Sequence, residues 1–262
     1  MHTFKKLLSV ALLATAIPIT TQAYETSGNV TLATDYKFRG ISQNATSPAI
    51  QGGFDIAFDN GFYAGIWGSN VDFELTGSAN PSMELDYYGG FAGNFTEDLS
   101  FDVGVLYYDY PTSSETNFTD GITYDKDRDL DYAEIYGSLG YKDFTVGFAY
   151  SDDYWQETGE FAYYYIDYSF GLFTLPSDIA LDFHVGFNDF ENSSDDSNPK
   201  DANEAFLSDG EDSYTDFSVT FSKSIAGLDF ALSFVDTDLD EDECWGTDWC
   251  DSSAIFSISK SM

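Results

Sequence analysis

The sequence Ile179-Ala180-Leu181-Asp182-Phe183-His184-Val185-Gly186-Phe187 alternates between large apolar residues and small or polar ones. Successive side chains of a β-strand point to opposite faces, so this stretch predicts a strand with one apolar and one polar face. The same alternation recurs in ten other segments, whose apolar faces begin near positions 30, 50, 85, 101, 133, 144, 162, 217, 228 and 254. In segment 29–39 it predicts one strand, with Val30, Leu32, Thr34, Tyr36 and Phe38 on one face and Thr31, Ala33, Asp35, Lys37 and Arg39 on the other. Segment 62–72 completes twelve strands. Its facing is open between two alternating sets: Phe62, Ala64 and Ile66, or Tyr63, Trp67 and Val71.

The apolar faces carry no charge. Within the eleven apolar faces, none of the residues at every second position is Asp, Glu, Lys or Arg, although 21% of the chain is charged. On the lipid face of a barrel, Lys or Arg at the bilayer midplane costs about 2–4 kcal/mol. We therefore predict an all-β fold, a transmembrane antiparallel up-and-down β-barrel of about 12 strands. A soluble β-sandwich or secreted barrel also alternates, but a sandwich seldom needs so many aromatic outer positions across twelve strands.

The amino-terminal segment has the features of an export signal. Lys5 and Lys6 precede an apolar run from Leu7 to Ile19, and Thr21-Gln22-Ala23 resembles a signal-peptidase site. We expect residues 1–23 to be removed and 24–262 to form one barrel domain. The apolar run is shorter than the roughly 20 residues that a spanning helix needs, which disfavours a membrane anchor.

The connections alternate in length. Short links such as Asp59-Asn60-Gly61 and Lys142-Asp143 are separated mostly by longer, acidic ones. Outer-membrane barrels pair short periplasmic turns with long external loops. We therefore expect a bacterial outer-membrane location, with lipid and lipopolysaccharide as partners, acidic loops outside and both termini in the periplasm. The sequence does not settle the oligomeric state.

The chain is strongly acidic. Its formal net charge is −36, or −38 without Lys5 and Lys6, which disfavours nucleic acid as a partner. Segments 111–130, 191–212 and 236–251 hold 5, 8 and 8 of the 46 acidic residues and are typical of solvated loops. Because exported proteins meet an oxidising environment, Cys244 and Cys250 are expected to form a local disulfide rather than a metal site.

Two segments carry a family resemblance. The stretch Leu32-Ala33-Thr34-Asp35-Tyr36-Lys37-Phe38-Arg39-Gly40-Ile41-Ser42-Gln43 and the end Ile255-Phe256-Ser257-Ile258-Ser259-Lys260-Ser261-Met262 resemble the proteobacterial TorF-type porin family. The resemblance implies an outer-membrane barrel and no catalytic residues. Members usually end in Phe, whereas Met262 ends this chain.

The polar faces predict an acidic interior, where fixed carboxylates favour cations. The candidate lumen or constriction residues are Asp35, Lys37, Arg39, Asp55, Glu84, Asp86, Asp102, Glu134, Asp167, Asp182, His184, Asp216 and Asp229. We expect a porin-like channel for passive diffusion of small polar or cationic solutes. Twelve strands also allow a lumen plugged by salt bridges and tyrosine hydrogen bonds.

A second hypothesis is a non-conducting barrel that acts in surface binding, adhesion or structure through its acidic loops. Alternating aspartates there could supply oxygen ligands for calcium, although neither run matches an EF-hand. The candidate ligands are Asp125, Asp127, Asp129, Asp236, Asp238 and Asp240. We expect no other cofactor. We also expect no enzyme, because His184 lies beside Asp182 with no identifiable nucleophile near it.

Overall fold

A computed structural model describes residues 24–75, 80–111, 130–171, 178–191, 206–207 and 211–262. The predicted signal segment 1–23, most of the acidic segment 191–212 and the calcium candidates Asp125, Asp127 and Asp129 lie outside them. No helix in the described ranges is long and apolar enough to cross a membrane.

Twelve antiparallel strands close into a barrel, and the first pairs with the last. The seam is extended by Met262, whose amide donates to the Gly28 carbonyl at 2.8 Å. The barrel strands are β1 (Tyr24–Ala33), β4 (Ala49–Phe58), β5 (Phe62–Ser69), β6 (Glu84–Asn94), β7 (Leu99–Asp109), β8 (Tyr132–Tyr141), β9 (Phe144–Ser151), β10 (Phe161–Gly171), β11 (Ala180–Phe190), β12 (Ser213–Ile225), β13 (Leu228–Thr237) and β14 (Ser253–Ser261). The predicted fold class and the twelve strands are confirmed, the first strand only as far as Ala33.

The outer surface is apolar, as the alternation predicted. Phe54 is 69% exposed, Ile50 64% and Leu32 55%, and similar residues surround the barrel. A soluble monomer rarely leaves so large an apolar surface uncovered, whereas a barrel in lipid requires one. The open question in β5 is also answered: Phe62, Ala64 and Ile66 point outward, and Tyr63 and Trp67 point inward.

The two ends of the barrel differ. At the turn end, short links such as 59–61 and 142–143 join neighbouring strands, and β1 begins and β14 ends there. At the opposite, loop end lie the longer connections. A cluster of buried side chains fills the interior at the loop end and includes Tyr108, Tyr132, Tyr154 and Phe161.

The prediction for segment 29–39 was wrong in its second half. We expected one strand with Thr34, Tyr36 and Phe38 outward and Asp35, Lys37 and Arg39 on the inner wall. Instead β1 ends at Ala33, and the chain turns inward as a small hairpin of β2 (Lys37–Phe38) and β3 (Ile41–Ser42). Residues 34–47 are called the inner hairpin below. Period-two alternation cannot distinguish these cases, because a hairpin strand alternates as a wall strand does.

Candidate functional site in the barrel lumen

The inner hairpin lies inside the loop end of the barrel. Its residues contact inward side chains on strands around the wall: Tyr36 on β6, Phe38 on β7, Arg39 on β8 and β10, and Gly40 on β12 and β13. Contacts on so many strands require a position within the cylinder. The lumen is therefore partly filled at this end.

Arg39 and Gly40 form the tip of the inner hairpin. Their φ angles are 48° and 84°, so both residues lie in the left-handed region, as in a two-residue type I′ turn. Glycine adopts this conformation without strain, but arginine does not. A Cβ on Gly40 would lie 2.3 Å from the Thr237 methyl carbon, so close packing also requires glycine.

The Arg39 guanidinium is paired and buried. Nη1 donates to one carboxylate oxygen of Glu134 at 2.7 Å, and Nη2 donates to the other at 2.9 Å. The Arg39 and Glu134 side chains are only 7% and 2% exposed. The guanidinium carbon also lies 4.3–4.8 Å from the ring centres of Phe38, Phe161 and Tyr163. Bidentate geometry and aromatic faces are the features that stabilise a buried guanidinium.

Two further carboxylates face the lumen on β6. Both oxygens of Glu84 accept hydrogen bonds at 2.8 Å, one from the Tyr36 hydroxyl and one from the Tyr110 hydroxyl. Asp86 is 8% exposed, and its buried Oδ1 has no hydrogen-bond partner. An unsatisfied buried carboxylate oxygen is costly, so Asp86 is suited to receive a donor or a cation.

His184 on β11 lies between two carboxylates. Its Nδ1 is 2.6 Å from Asp167, and its Nε2 is 3.0 Å from Asp216. The Tyr163 hydroxyl is 2.7 Å from the same Nε2, and Asn188 donates to Asp216 at 2.8 Å. A protonated imidazole donates from both nitrogens, so this setting suits an imidazolium that offsets part of the wall's negative charge.

Tyrosines near the middle of the wall lie over glycines of adjacent strands. A Cβ on Gly147 would lie 2.4 Å from the Tyr165 ring, and one on Gly65 equally close to the Tyr88 ring. The missing side chains leave the space into which these rings lie. The Tyr88 hydroxyl donates to Asp55, so it too is held at the wall. The tyrosine rings therefore lie along the wall and do not extend across the lumen.

The opposite part of the wall is lined by small polar groups. On β12 and β13 the Thr220 and Ser233 hydroxyls lie 2.8 Å apart, and Asp229 accepts a hydrogen bond from Ser224 near the turn end. Asp182 on β11 also faces inward, as predicted, and is partly exposed. Short side chains of this kind leave room for water.

The inner hairpin is braced by the disulfide loop, defined as residues 238–252. Cys244 and Cys250 are joined, as predicted. The Ser42 amide donates to the Trp249 carbonyl at 3.0 Å, and the Lys37 ammonium donates to the Asp251 carbonyl at 2.6 Å. The disulfide loop therefore holds the hairpin on the side away from Glu134.

A polar cavity of about 330 Å³ lies between the inner hairpin and the disulfide loop. Asp35, Lys37, Asp248 and Asp251 line it. Burial raises the pKa of the Asp35 carboxyl, although the Ser42 hydroxyl, which donates at 2.8 Å, opposes this. Burial lowers the pKa of Lys37, against the attraction of Asp35 and Asp251. The cavity thus offers a polar space beside the hairpin.

The predicted lumen residues fall into two groups. The wall carboxylates and His184 face inward as expected from the alternation: Asp55, Glu84, Asp86, Asp102, Glu134, Asp167, Asp182, His184, Asp216 and Asp229. Asp35, Lys37 and Arg39 are interior but belong to the inner hairpin. Local alternation carried no sign that Phe161 and Tyr163 would lie at Arg39, because these contacts join residues far apart in the chain.

The second aspartate run has structural partners. Asp238 accepts a hydrogen bond from the Thr215 amide at 2.6 Å, and Asp236 accepts one from the Thr237 amide at 3.0 Å. The Asp240 carbonyl accepts from the Cys244 amide. Among the described residues, no group of three or more His, Cys, Asp or Glu side chains is arranged to hold a metal ion. Calcium binding stays a prediction.

An apolar exterior, a closed twelve-stranded wall and an acidic interior define an outer-membrane type of β-barrel. The chain belongs to the family described as bacterial protein of unknown function (Gcw_chp), whose model matches residues 19–262. That match does not identify the chain as a TorF-type porin, so this assignment stays a prediction.

Several solved barrels have a similar overall shape. The KdgM porin has a TM-score of 0.47 at 10% identity, with 90% of this chain and 97% of that chain covered. The NanC porin has a TM-score of 0.46 at 10% identity, with 88% and 97% covered. LpxR from Salmonella typhimurium has a TM-score of 0.44 at 8% identity, with 90% and 99% covered. None is close enough to indicate a shared function. No curated protein sequence matches the chain.

Proposed function

We propose that this protein is an outer-membrane channel for the passive diffusion of small polar or cationic solutes. The observation that carries the proposal is the excess of inward carboxylates over inward basic groups in the described lumen. The basic groups there are Lys37, Arg39 and His184, whereas nine carboxylates lie on the wall alone. Fixed negative charge inside a low-dielectric wall lowers the energy of cations.

The shape of the interior supports a narrow passage. The tyrosines over Gly65 and Gly147 and the short polar side chains of β12 and β13 favour an open interior at these parts of the wall. At the loop end the inner hairpin narrows the lumen, and a polar cavity lies beside Asp35 and Lys37. We infer a constriction at this hairpin that selects solutes by charge and size.

The membrane setting follows from the outer surface. The outward apolar side chains match outer-membrane lipid and lipopolysaccharide, so these are the proposed partners. We place the loop end outside the cell and the turn end, with both termini, in the periplasm, because outer-membrane barrels carry short turns on that side.

Single-channel recording in planar bilayers under a salt gradient tests the proposal. We expect step conductances and a reversal potential that indicates cation preference. Asp102→Asn removes an inward carboxylate and should weaken that preference, whereas Asp98→Asn at the exposed turn end should not. A barrel that is correctly folded but silent, or one that prefers anions, would contradict the proposal.

The inner hairpin also supports a second candidate, a non-conducting barrel that acts in surface binding or adhesion. Arg39 is paired with Glu134, and the disulfide loop braces the hairpin. In this candidate the two contacts keep the loop end closed to solutes. Silence in bilayers together with calcium uptake in calorimetric titration would favour this candidate. The expectation that the protein is not an enzyme stays a prediction.

A further inference from the structure

The surroundings of Arg39 form a complete guanidinium-binding site. Glu134 supplies two oxygens to the two guanidinium nitrogens at 2.7 and 2.9 Å. The rings of Phe161 and Tyr163 lie 4.8 and 4.3 Å from the guanidinium carbon. Glu134, Phe161 and Tyr163 belong to the barrel wall, whereas Phe38 belongs to the inner hairpin. The wall therefore presents a pocket whose occupant is supplied by the inner hairpin.

The Arg39 side chain occupies this pocket, while its backbone belongs to the inner hairpin. Arg39 sits at the tip of a tight turn, in a left-handed conformation that is strained for a residue with a side chain. The hairpin has anchors that do not involve the guanidinium, namely Ser42 to Trp249, Lys37 to Asp251, and the Tyr214 hydroxyl to the Arg39 carbonyl at 2.9 Å. These anchors therefore contribute to the position of the hairpin independently of the guanidinium.

A second acidic group lies close to the pocket. Asp86 and Glu134 both point inward and both lie beside Tyr108. Asp86 is the cross-strand partner of Tyr108. The Tyr108 hydroxyl donates to Glu134 at 3.1 Å. The buried Oδ1 of Asp86 has no partner. A cation that enters at Glu134 would find the next carboxyl group there.

We propose that the channel selects guanidinium-bearing solutes, which exchange with the Arg39 side chain at Glu134 and then pass by Asp86. The inference rests on the proposed channel function and names its substrate class. A planar guanidinium matches both oxygens of a carboxylate and stacks on rings, whereas an ammonium is a compact, strongly hydrated point charge. Selection between the two should therefore follow the shape of the cation rather than its charge.

The pocket itself is tested with the Arg39→Ala variant of the full barrel, titrated calorimetrically with methylguanidinium, methylammonium and urea. We expect methylguanidinium to bind at least tenfold more tightly than methylammonium, and urea not to bind. Adding Glu134→Gln to the variant should abolish the difference. Equal binding of the two cations, or no binding, would overturn the inference. If Arg39→Ala does not fold, Arg39→Lys keeps a tethered cation and should still bind methylguanidinium.

Selection is tested with the wild-type barrel in liposomes, by comparing the uptake of arginine and lysine. We expect arginine to enter at least tenfold faster, with Lys142→Ala, an exposed turn-end change, behaving as wild type. Equal uptake with intact potassium conductance would overturn the inference and leave the proposed channel function standing. Absence of potassium conductance would instead overturn the channel function, and with it the inferred selection.

Discussion

Glu134→Gln provides a direct measure of how firmly the inner hairpin closes the loop end. The substitution leaves the Arg39 guanidinium buried among rings without a counter-charge, since its partner is 2% exposed and accepts both of its hydrogen bonds. Removing one partner of a buried ion pair costs about 3–5 kcal/mol. Gln still accepts one hydrogen bond, so we take the lower end, about 3 kcal/mol, for the loss.

A loss of about 3 kcal/mol changes the ratio of docked to released hairpin about 100-fold, because each 1.4 kcal/mol is a factor of ten. Lys37 and Arg39 are trypsin sites within the hairpin. The rate of cleavage follows the population of the released form when opening and closing are fast. We therefore expect trypsin to cut the hairpin of Glu134→Gln about 100-fold faster than that of wild type, again from the cost of the broken pair.

Two controls accompany this measurement. Asp98→Asn breaks the exposed pair with Lys142, whose side chains are 55% and 58% exposed, and should change hairpin cleavage less than twofold, since surface pairs contribute about 0–1 kcal/mol and this one is at the turn end. Adding Arg39→Gln to Glu134→Gln removes both charges. This double variant is compared by cleavage after Lys37 and should recover part of the protection. Cleavage in Glu134→Gln within threefold of wild type would refute the reasoning.

Three other changes test separate parts of the site. Replacing Lys37 and Arg39 by Ala should strengthen cation selectivity, because two interior positive charges are lost, and unchanged reversal potentials would place them outside the constriction. Gly147→Val should lower the free energy of unfolding in detergent by about 1–3 kcal/mol, since Tyr165 occupies the space of its side chain; urea unfolding that matches wild type would show that the ring moves aside freely. Cys244→Ser should lower the stability of the disulfide loop by about 2 kcal/mol and raise the rate of trypsin cleavage after Lys37. A cleavage rate equal to that of wild type would show that the loop does not brace the hairpin.

The strand count, the acidic interior and the facing of every wall strand except β5 could be predicted from the sequence. Each depends on period-two alternation, a local property that a lipid exterior enforces residue by residue. Asp86, Glu134 and His184 were therefore placed correctly from parity alone. The disulfide followed from two cysteines near each other in an exported chain.

The inner hairpin and the Arg39 pocket were decided only by the tertiary structure. Alternation from Val30 to Arg39 continues smoothly past Ala33, where the wall strand ends, so the local pattern contains no sign of the turn inward. Glu134, Phe161 and Tyr163 surround Arg39 because barrel closure brings β8 and β10 to the hairpin, across more than 90 positions of sequence. Burial of a guanidinium is favourable only when such distant partners meet, and their meeting is a property of the closed cylinder rather than of any single strand.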